Sequence, residues 1–96
     1  MAGPEKNFEM RVRKYLESKG AYVLKYVGGS QTKKGVPDLL VCYKGKFIAL
    51  EMKAPKGNDT GELQNKNIDW IREAGGYARF LFPKDFDSFK KELEDL

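Results

Sequence analysis

Two acids and a lysine frame the most informative stretch of this chain, Gly35 to Lys53: Asp38 stands near its start, Glu51 and Lys53 at its end. Carboxylates and an ammonium, joined by a hard cation and a positioned water, can support hydrolysis. Apolar and β-branched residues flank Lys44-Gly45 on both sides, so the stretch reads as two strands joined by a tight turn. With that turn as a two-residue loop, Tyr43 faces Lys46, Leu40 faces Ala49 and Asp38 faces Glu51. Alternation then puts Asp38, Leu40 and Cys42 on one face with Phe47, Ala49, Glu51 and Lys53.

Directly opposed strand residues hold their Cβ atoms about 4.5–5.5 Å apart, and like charges there repel unless something positive lies between them. Lys53, on the same face, is one source of that charge. A divalent ion is the better one, because two carboxylate oxygens and a nearby carbonyl suit Mg²⁺ or Mn²⁺. A surface hairpin with solvated ends is the plainer alternative. Against it, Phe47, Ile48, Ala49 and Leu50 make the second strand too apolar for a surface edge.

Composition narrows the chemistry further. The 96 residues, 41% apolar and 12% aromatic, suffice for one packed α/β domain over residues 1–96. There is no histidine, which excludes His-bound zinc, Ser-His or Cys-His nucleophile pairs and an imidazole base. The net charge of +4 favours a polyanionic partner without proving one. Cys42, the sole cysteine, falls on an expected core strand and can form no intrachain disulfide, which fits an intracellular, cytoplasmic setting. No apolar run approaches transmembrane length and the N-terminus lacks a signal-peptide core, so a soluble protein without membrane attachment is expected.

The flanking elements complete the order. Residues 7–19 read as a helix with Phe8, Val12, Tyr15 and Leu16 as its apolar stripe, Asn7 as N-cap and Gly20 as stop. Glu9 lies at the edge of that stripe, with Glu5 on the same face one turn earlier; Arg11, Arg13 and Lys14 point outward. Residues 21–27 have strand character, and Lys25 alternates with Val23 and Val27 as a snorkelling side chain or a charge aimed at the acids. The loop from Gly28 to Lys34 carries Lys33 and Lys34 into the Asp38 strand. After a turn-rich link comes a helix near 61–74, capped by Thr60 or Asp59 and ended by Gly75-Gly76. On it Gln64 shares the inward arc with Ile68 and Ile71 and needs a polar partner. A strand at 77–82 and a helix at 85–96, with Phe86, Phe89 and Leu93 on one face, close the chain. The order is αβββαβα: an antiparallel hairpin plus a helical crossover, hence a four-stranded mixed sheet flanked by helices.

Pro37-Asp38, a hairpin, then Glu51-Met52-Lys53 resembles the PD-(D/E)XK nuclease superfamily with its restriction-endonuclease-like core. More narrowly, Gly35-Val36-Pro37-Asp38, Glu51-Met52-Lys53-Ala54-Pro55 and Gln64 are similar to VRR-NUC domains, the virus-type replication-repair nucleases, from Glu9 to about Phe82. Met52 replaces a commoner Leu, and Leu39 stands where a basic residue often follows the acid. The resemblance implies a Mg²⁺- or Mn²⁺-dependent DNA endonuclease without an organic cofactor. Asp38, Glu51 and the Met52 main-chain carbonyl would hold the metal, with Glu9 reaching it through a water. Lys53 would orient the attacking water and offset phosphorane charge, Gln64 would position Lys53, water or phosphate, and Lys25, Lys33 and Lys34 would contact DNA. Stand-alone members act as dimers and resemble Holliday-junction resolvases, which implies a homodimer on branched DNA. Its interface would be the 77–82 strand or the aromatic face of the last helix. A non-catalytic nucleic-acid-binding module with the same fold is the alternative, and it would have no need of the complete Asp38, Glu51 and Lys53 set.

Overall fold

The hairpin around Lys44-Gly45 is the centre of the sheet. In the computed structural model of the chain, which describes residues 3–28, 33–53 and 61–96 and no side chains at 4 and 5, β2 (Leu39–Tyr43) pairs antiparallel with β3 (Lys46–Met52). Tyr43 faces Lys46, Cys42 faces Phe47 and Leu40 faces Ala49, the register expected from the two-residue turn. Lys44 and Gly45 have φ of 51° and 76°, the positive values that a type I′ hairpin turn requires at both central positions.

β1 (Tyr22–Lys25) flanks β2 antiparallel, and β4 (Tyr77–Leu81) flanks β3 in parallel, giving the sheet order β1-β2-β3-β4. A parallel neighbour requires a crossover. That crossover includes α2 (Glu62–Glu73), so the mixed sheet and the αβββαβα order are both observed. α1 (Pro4–Ser18) precedes the sheet; a 3-10 turn (Pro83–Asp85) and α3 (Phe86–Glu94) follow it.

Alternation divides the sheet into two unequal faces. Leu39, Val41, Ile48, Leu50, Met52 and Leu81 turn toward α1 and α3, where Phe8, Val12, Leu16, Phe89 and Leu93 meet them in the main core. Phe86 packs edge-on against both Phe8 and Tyr15. The opposite face is covered by α2 alone, with Ile68 and Ile71 on Ala49, Ala78, Leu40 and Phe80.

The β4 edge is closed by side chains. Lys53 N–H bonds Leu81 O at 3.0 Å across β3–β4, so the carbonyls of Ala78 and Phe80 point the other way. Arg72 Nε donates to Ala78 O at 2.9 Å and Arg79 Nε to Phe80 O at 3.1 Å.

Several local expectations need correcting. α1 begins at Pro4 with Gly3 as N-cap, not at Asn7, because proline presets the helical φ and its missing N–H costs nothing in the first turn. Gly20 does end that helix, at φ 90°. The N-cap of α2 is Gly61 in place of Thr60 or Asp59, which lie outside the described residues, as do Ala54 and Pro55. Cys42 is on β2 but exposed, because its side chain falls on the sheet face beyond the reach of α2. The aromatic face of α3 is spent on the core and is not a free dimer surface. No helix among the described residues is long and apolar enough to cross a membrane.

Candidate active site

Asp38 lies one residue before β2, and its Oδ2 accepts a hydrogen bond from the Met52 N–H at 3.0 Å. N–H and C=O of one strand residue point to the same side. The Met52 carbonyl is therefore directed toward the Asp38 side of β3. Glu51, on the α2-covered face, is buried at 6% exposure, and its Oε2 accepts from Gln64 Nε2 at 2.8 Å. Gln64 Oε1 in turn accepts from Lys53 Nζ at 3.2 Å. The amide thus bridges an anion and a cation, which answers the need for a partner on the inward arc of α2. Lys53 Nζ also lies 5.4 Å from the Phe80 ring centroid.

Glu9 and Lys25 stand at the rim. Lys25 Nζ lies 2.6 Å from Glu9 Oε1, so the first helix reaches the strand end through this ion pair. Burial pushes the Asp38 carboxyl above its ordinary range and Glu9 adds to the push. The Met52 N–H, Lys25 and Lys53 pull it back without cancelling it. A half-buried acid that resists ionisation is stabilised by any cation placed beside it.

Asp38, Glu51 and Gln64 line an open cavity of about 310 Å³ whose other wall is Tyr26, Gly28 and Lys33 to Val36. The segment Lys33–Gly35 is pinned in three places. Tyr26 Oη donates to Lys33 O at 3.0 Å, and Asn67 Nδ2 donates to Lys34 O at 3.2 Å. Gly35, at φ 77°, presses so closely on α2 that a Cβ would come within 2.7 Å of Leu63 Cγ and 2.8 Å of Asn67 Nδ2. This explains the glycine of Gly35-Val36-Pro37-Asp38 physically: it lets the basic segment lie flat on the helix.

The sequence reading missed Tyr26, Leu63 and Asn67. The available signal was Asn67 beside Ile68 on a face already carrying Gln64, since a buried amide there must be bonded. Asn67 is buried at 4% exposure. Leu39, noted for replacing a basic residue, is fully buried in the main core and cannot touch a ligand.

A larger cleft of about 480 Å³ lies beyond β4, lined by Arg72, Tyr77, Arg79, Asp85 and Glu92 among others. Its polar groups are engaged within the protein: Arg79 pairs with Glu92 at 3.0 Å and Asp85 at 3.4 Å, Tyr77 donates to Glu92, and Arg72 donates to Ala78 O. The smaller cavity is the chemically poised one.

Residues 4–87 match the family described as archaeal Holliday junction resolvase (Hjc). The chain belongs to that family. Among solved structures, a VRR_NUC domain superposes with a TM-score of 0.74 at 23% identity, covering 94% of this chain and 97% of that one. Hjc of Archaeoglobus fulgidus, a Holliday junction resolvase, superposes with a TM-score of 0.58 at 18% identity, covering 81% of this chain and 69% of that one. The likeness to VRR-NUC domains read from Gly35–Asp38, Glu51–Lys53 and Gln64 is thus met in the fold, and the Hjc family and the VRR-NUC domain are both members of the nuclease superfamily. No curated protein sequence matches the chain.

Among the described residues no three acids, cysteines or histidines gather into a metal-binding group. The oxygen donors that could hold a cation are two carboxylates, of which Asp38 has only one oxygen engaged by the Met52 N–H, together with a main-chain carbonyl on the same side. All-oxygen donors of this kind fit Mg²⁺ or Mn²⁺ and not a soft ion.

Proposed function

We propose that this member of the Hjc family is a divalent-metal-dependent endonuclease that hydrolyses phosphodiester bonds in branched DNA, four-way junctions included, inside the cell. The observation that carries the reading is the single cavity joining Asp38, Glu51 and Gln64 to Lys33 and Lys34. Carboxylates alone would repel a phosphodiester, and lysines alone would only bind it. Asp38, Glu51 and the Met52 carbonyl would hold Mg²⁺ or Mn²⁺, which when bound supplies Lewis acidity toward the phosphate and a more acidic water.

The chain's own groups do the rest. Gln64 holds Lys53 and Glu51 in fixed relation through its two hydrogen bonds. From there the Lys53 ammonium orients the attacking water and donates to the phosphoryl oxygens as charge builds on them. The water oxygen bonds to phosphorus, the bond to the leaving sugar oxygen breaks, and the water's proton ends on that leaving group or in solvent. Glu9 fixes Lys25 at the rim, where the ammonium favours the ionised form of Asp38 and so opposes the upward push of burial. Lys33 and Lys34 receive the flanking phosphates.

The reading includes a homodimer. Tyr22, Leu24, Leu40, Cys42 and Phe47 line an apolar groove on the sheet face that α2 leaves bare, with Tyr22 71% exposed. A second copy fits it, because a two-fold axis lets one apolar strip meet itself and α3 offers no free aromatic face. Two sites at fixed spacing then match the symmetry of a four-way junction.

The test is a cleavage panel of labelled duplex, flap, splayed-arm and four-way-junction DNA with Mg²⁺ or Mn²⁺, beside sedimentation of wild type and Phe47→Glu. Paired metal-dependent cuts in junction DNA by a dimer that Phe47→Glu dissociates are expected. Tight junction binding with no cut under either metal favours the non-catalytic module. A monomer equally active on plain duplex removes the branched-substrate and dimer readings.

A further inference from the structure

The only tryptophan of the chain, Trp70, is 48% exposed on α2. It continues the stripe that receives the basic segment: Leu63, Asn67 and Trp70 fall at i, i+4 and i+7. Leu63 packs on Gly35, Asn67 holds the Lys34 carbonyl, and the Lys33 ammonium lies 5.1 Å from the Trp70 ring centroid. Lys33 also lines the cavity that holds Asp38 and Glu51. One residue therefore borders both the candidate scissile site and an exposed indole. Along the helix, Trp70 stands roughly 9 Å from Gln64, at 1.5 Å per residue.

Burial does not explain this ring, which contributes nothing to the core packing around Ile68 and Ile71. What it presents is a flat π surface beside the Lys33 ammonium, with Lys34 next along the segment. A nucleobase matches that surface and its phosphates match the lysines. A base inside a duplex has no free face to offer, so the matching ligand is an unpaired nucleotide. The contact of an ammonium with an exposed aromatic ring is weaker than a base–aromatic stack, so the first can yield to the second.

We propose that Trp70 is a stacking platform for an unpaired nucleobase next to the scissile phosphate, gated by Lys33. In the free protein Lys33 covers the ring; on binding, its ammonium moves to a phosphate and a base takes its place. The proposal rests on the nuclease reading for the identity of its ligand, and it gives that site a preference for DNA with unpaired nucleotides at the branch.

The test uses the full chain in EDTA, so that binding is read without cleavage. The probes are a blunt DNA hairpin and the same hairpin with an oligo-dT tail of either polarity. Trp70 fluorescence, excited clear of tyrosine, should be quenched severalfold more by tailed than by blunt DNA. Trp70→Ala and Trp70→Leu should each weaken tailed-DNA binding about tenfold, or about 1.4 kcal/mol, while Trp70→Phe stays within about threefold of wild type. Lys33→Ala should keep the quench and lose about one unit of salt slope, as expected for one phosphate contact. Equal quenching by both DNAs, or wild-type tailed-DNA affinity in Trp70→Ala with an unchanged melting temperature, overturns the platform and leaves the nuclease reading standing. A tail-specific quench in the wild-type chain together with tailed-DNA binding weakened by Trp70→Ala, in a protein that cuts nothing with either metal, sustains the platform and removes the nuclease reading instead.

Discussion

On one side of the sheet, Leu39, Val41, Ile48, Leu50 and Leu81 are enclosed by two helices and three phenylalanines. On the other, one helix covers Ala49 and Ala78, and the same face carries Glu51 with Asp38 at its margin. The two sides share a backbone and differ by one residue of register. Stability is concentrated on the first, and charge that opposes stability on the second. A thin cover is what permits access: a face packed like the first could hold neither an ion nor a phosphate.

The largest effects should come from the acids. Asp38→Asn and Glu51→Gln are expected to lower cleavage by more than about 10³-fold, beyond the loss of one transition-state donor, and to abolish Mn²⁺ binding by calorimetry. Neither should unfold the protein. In metal-free protein Asp38→Asn should raise the melting temperature at neutral pH, because the folded state holds this carboxyl's proton more tightly than the unfolded chain does. Both states are protonated below the ordinary value of 3.8, so the gain should fade as pH falls toward it. Unchanged Mn²⁺ affinity in both variants would end the metal-site claim.

The opposite behaviour is expected across the sheet. Phe89→Ala should destabilise by about 3–5 kcal/mol in denaturant titration, with activity per folded molecule retained. Loss of activity without loss of stability would blur the division between the faces.

Lys53→Ala should reduce turnover about 10²–10³-fold with little change in DNA affinity, since only interactions that strengthen in the transition state raise kcat. Full-rate cutting at saturation with much weaker binding would make Lys53 a docking charge. Gly35→Ala is expected to cost about 1–2 kcal/mol from its left-handed backbone alone, with a several-fold drop in cleavage as the Lys33–Lys34 segment lifts from α2. Wild-type values for both would show that the segment need not lie flat.

The smallest effect separates the two clefts. Burial and its bond to Glu92 push the Tyr77 hydroxyl up to about 12. Its proton then stabilises the fold fully below the ordinary value near 10, and the benefit is lost as pH rises through about 12. Tyr77→Phe should therefore remove the alkaline destabilisation expected of wild type between these values and leave cleavage untouched.

The hairpin was legible because a turn and an alternation leave no freedom: once Lys44-Gly45 is the loop, every facing pair follows. The order of elements was legible because glycines and prolines separate periodic runs. Cys42 was misread for the complementary reason. An apolar strand announces that it lies in a sheet but not how far the covering helix extends. Tyr26, Asn67 and Trp70 escaped because their roles depend on where the segment before Asp38 comes to rest on α2, a long-range contact without a local pattern. Gln64 stood out because an amide on the arc of Ile68 and Ile71 must be satisfied.

The two arginines on the outer carbonyls of β4 have a consequence for growth of the sheet. Arg72 and Arg79 occupy the acceptors that an incoming strand would use, so a fifth strand, whether from an aggregating copy or a capturing peptide, is denied that side. Among the described residues, the other edge of the sheet is Tyr22–Lys25. A strand-mimicking inhibitor aimed at this protein therefore has one edge to target, and a variant that loses either arginine should be the first to clump on heating.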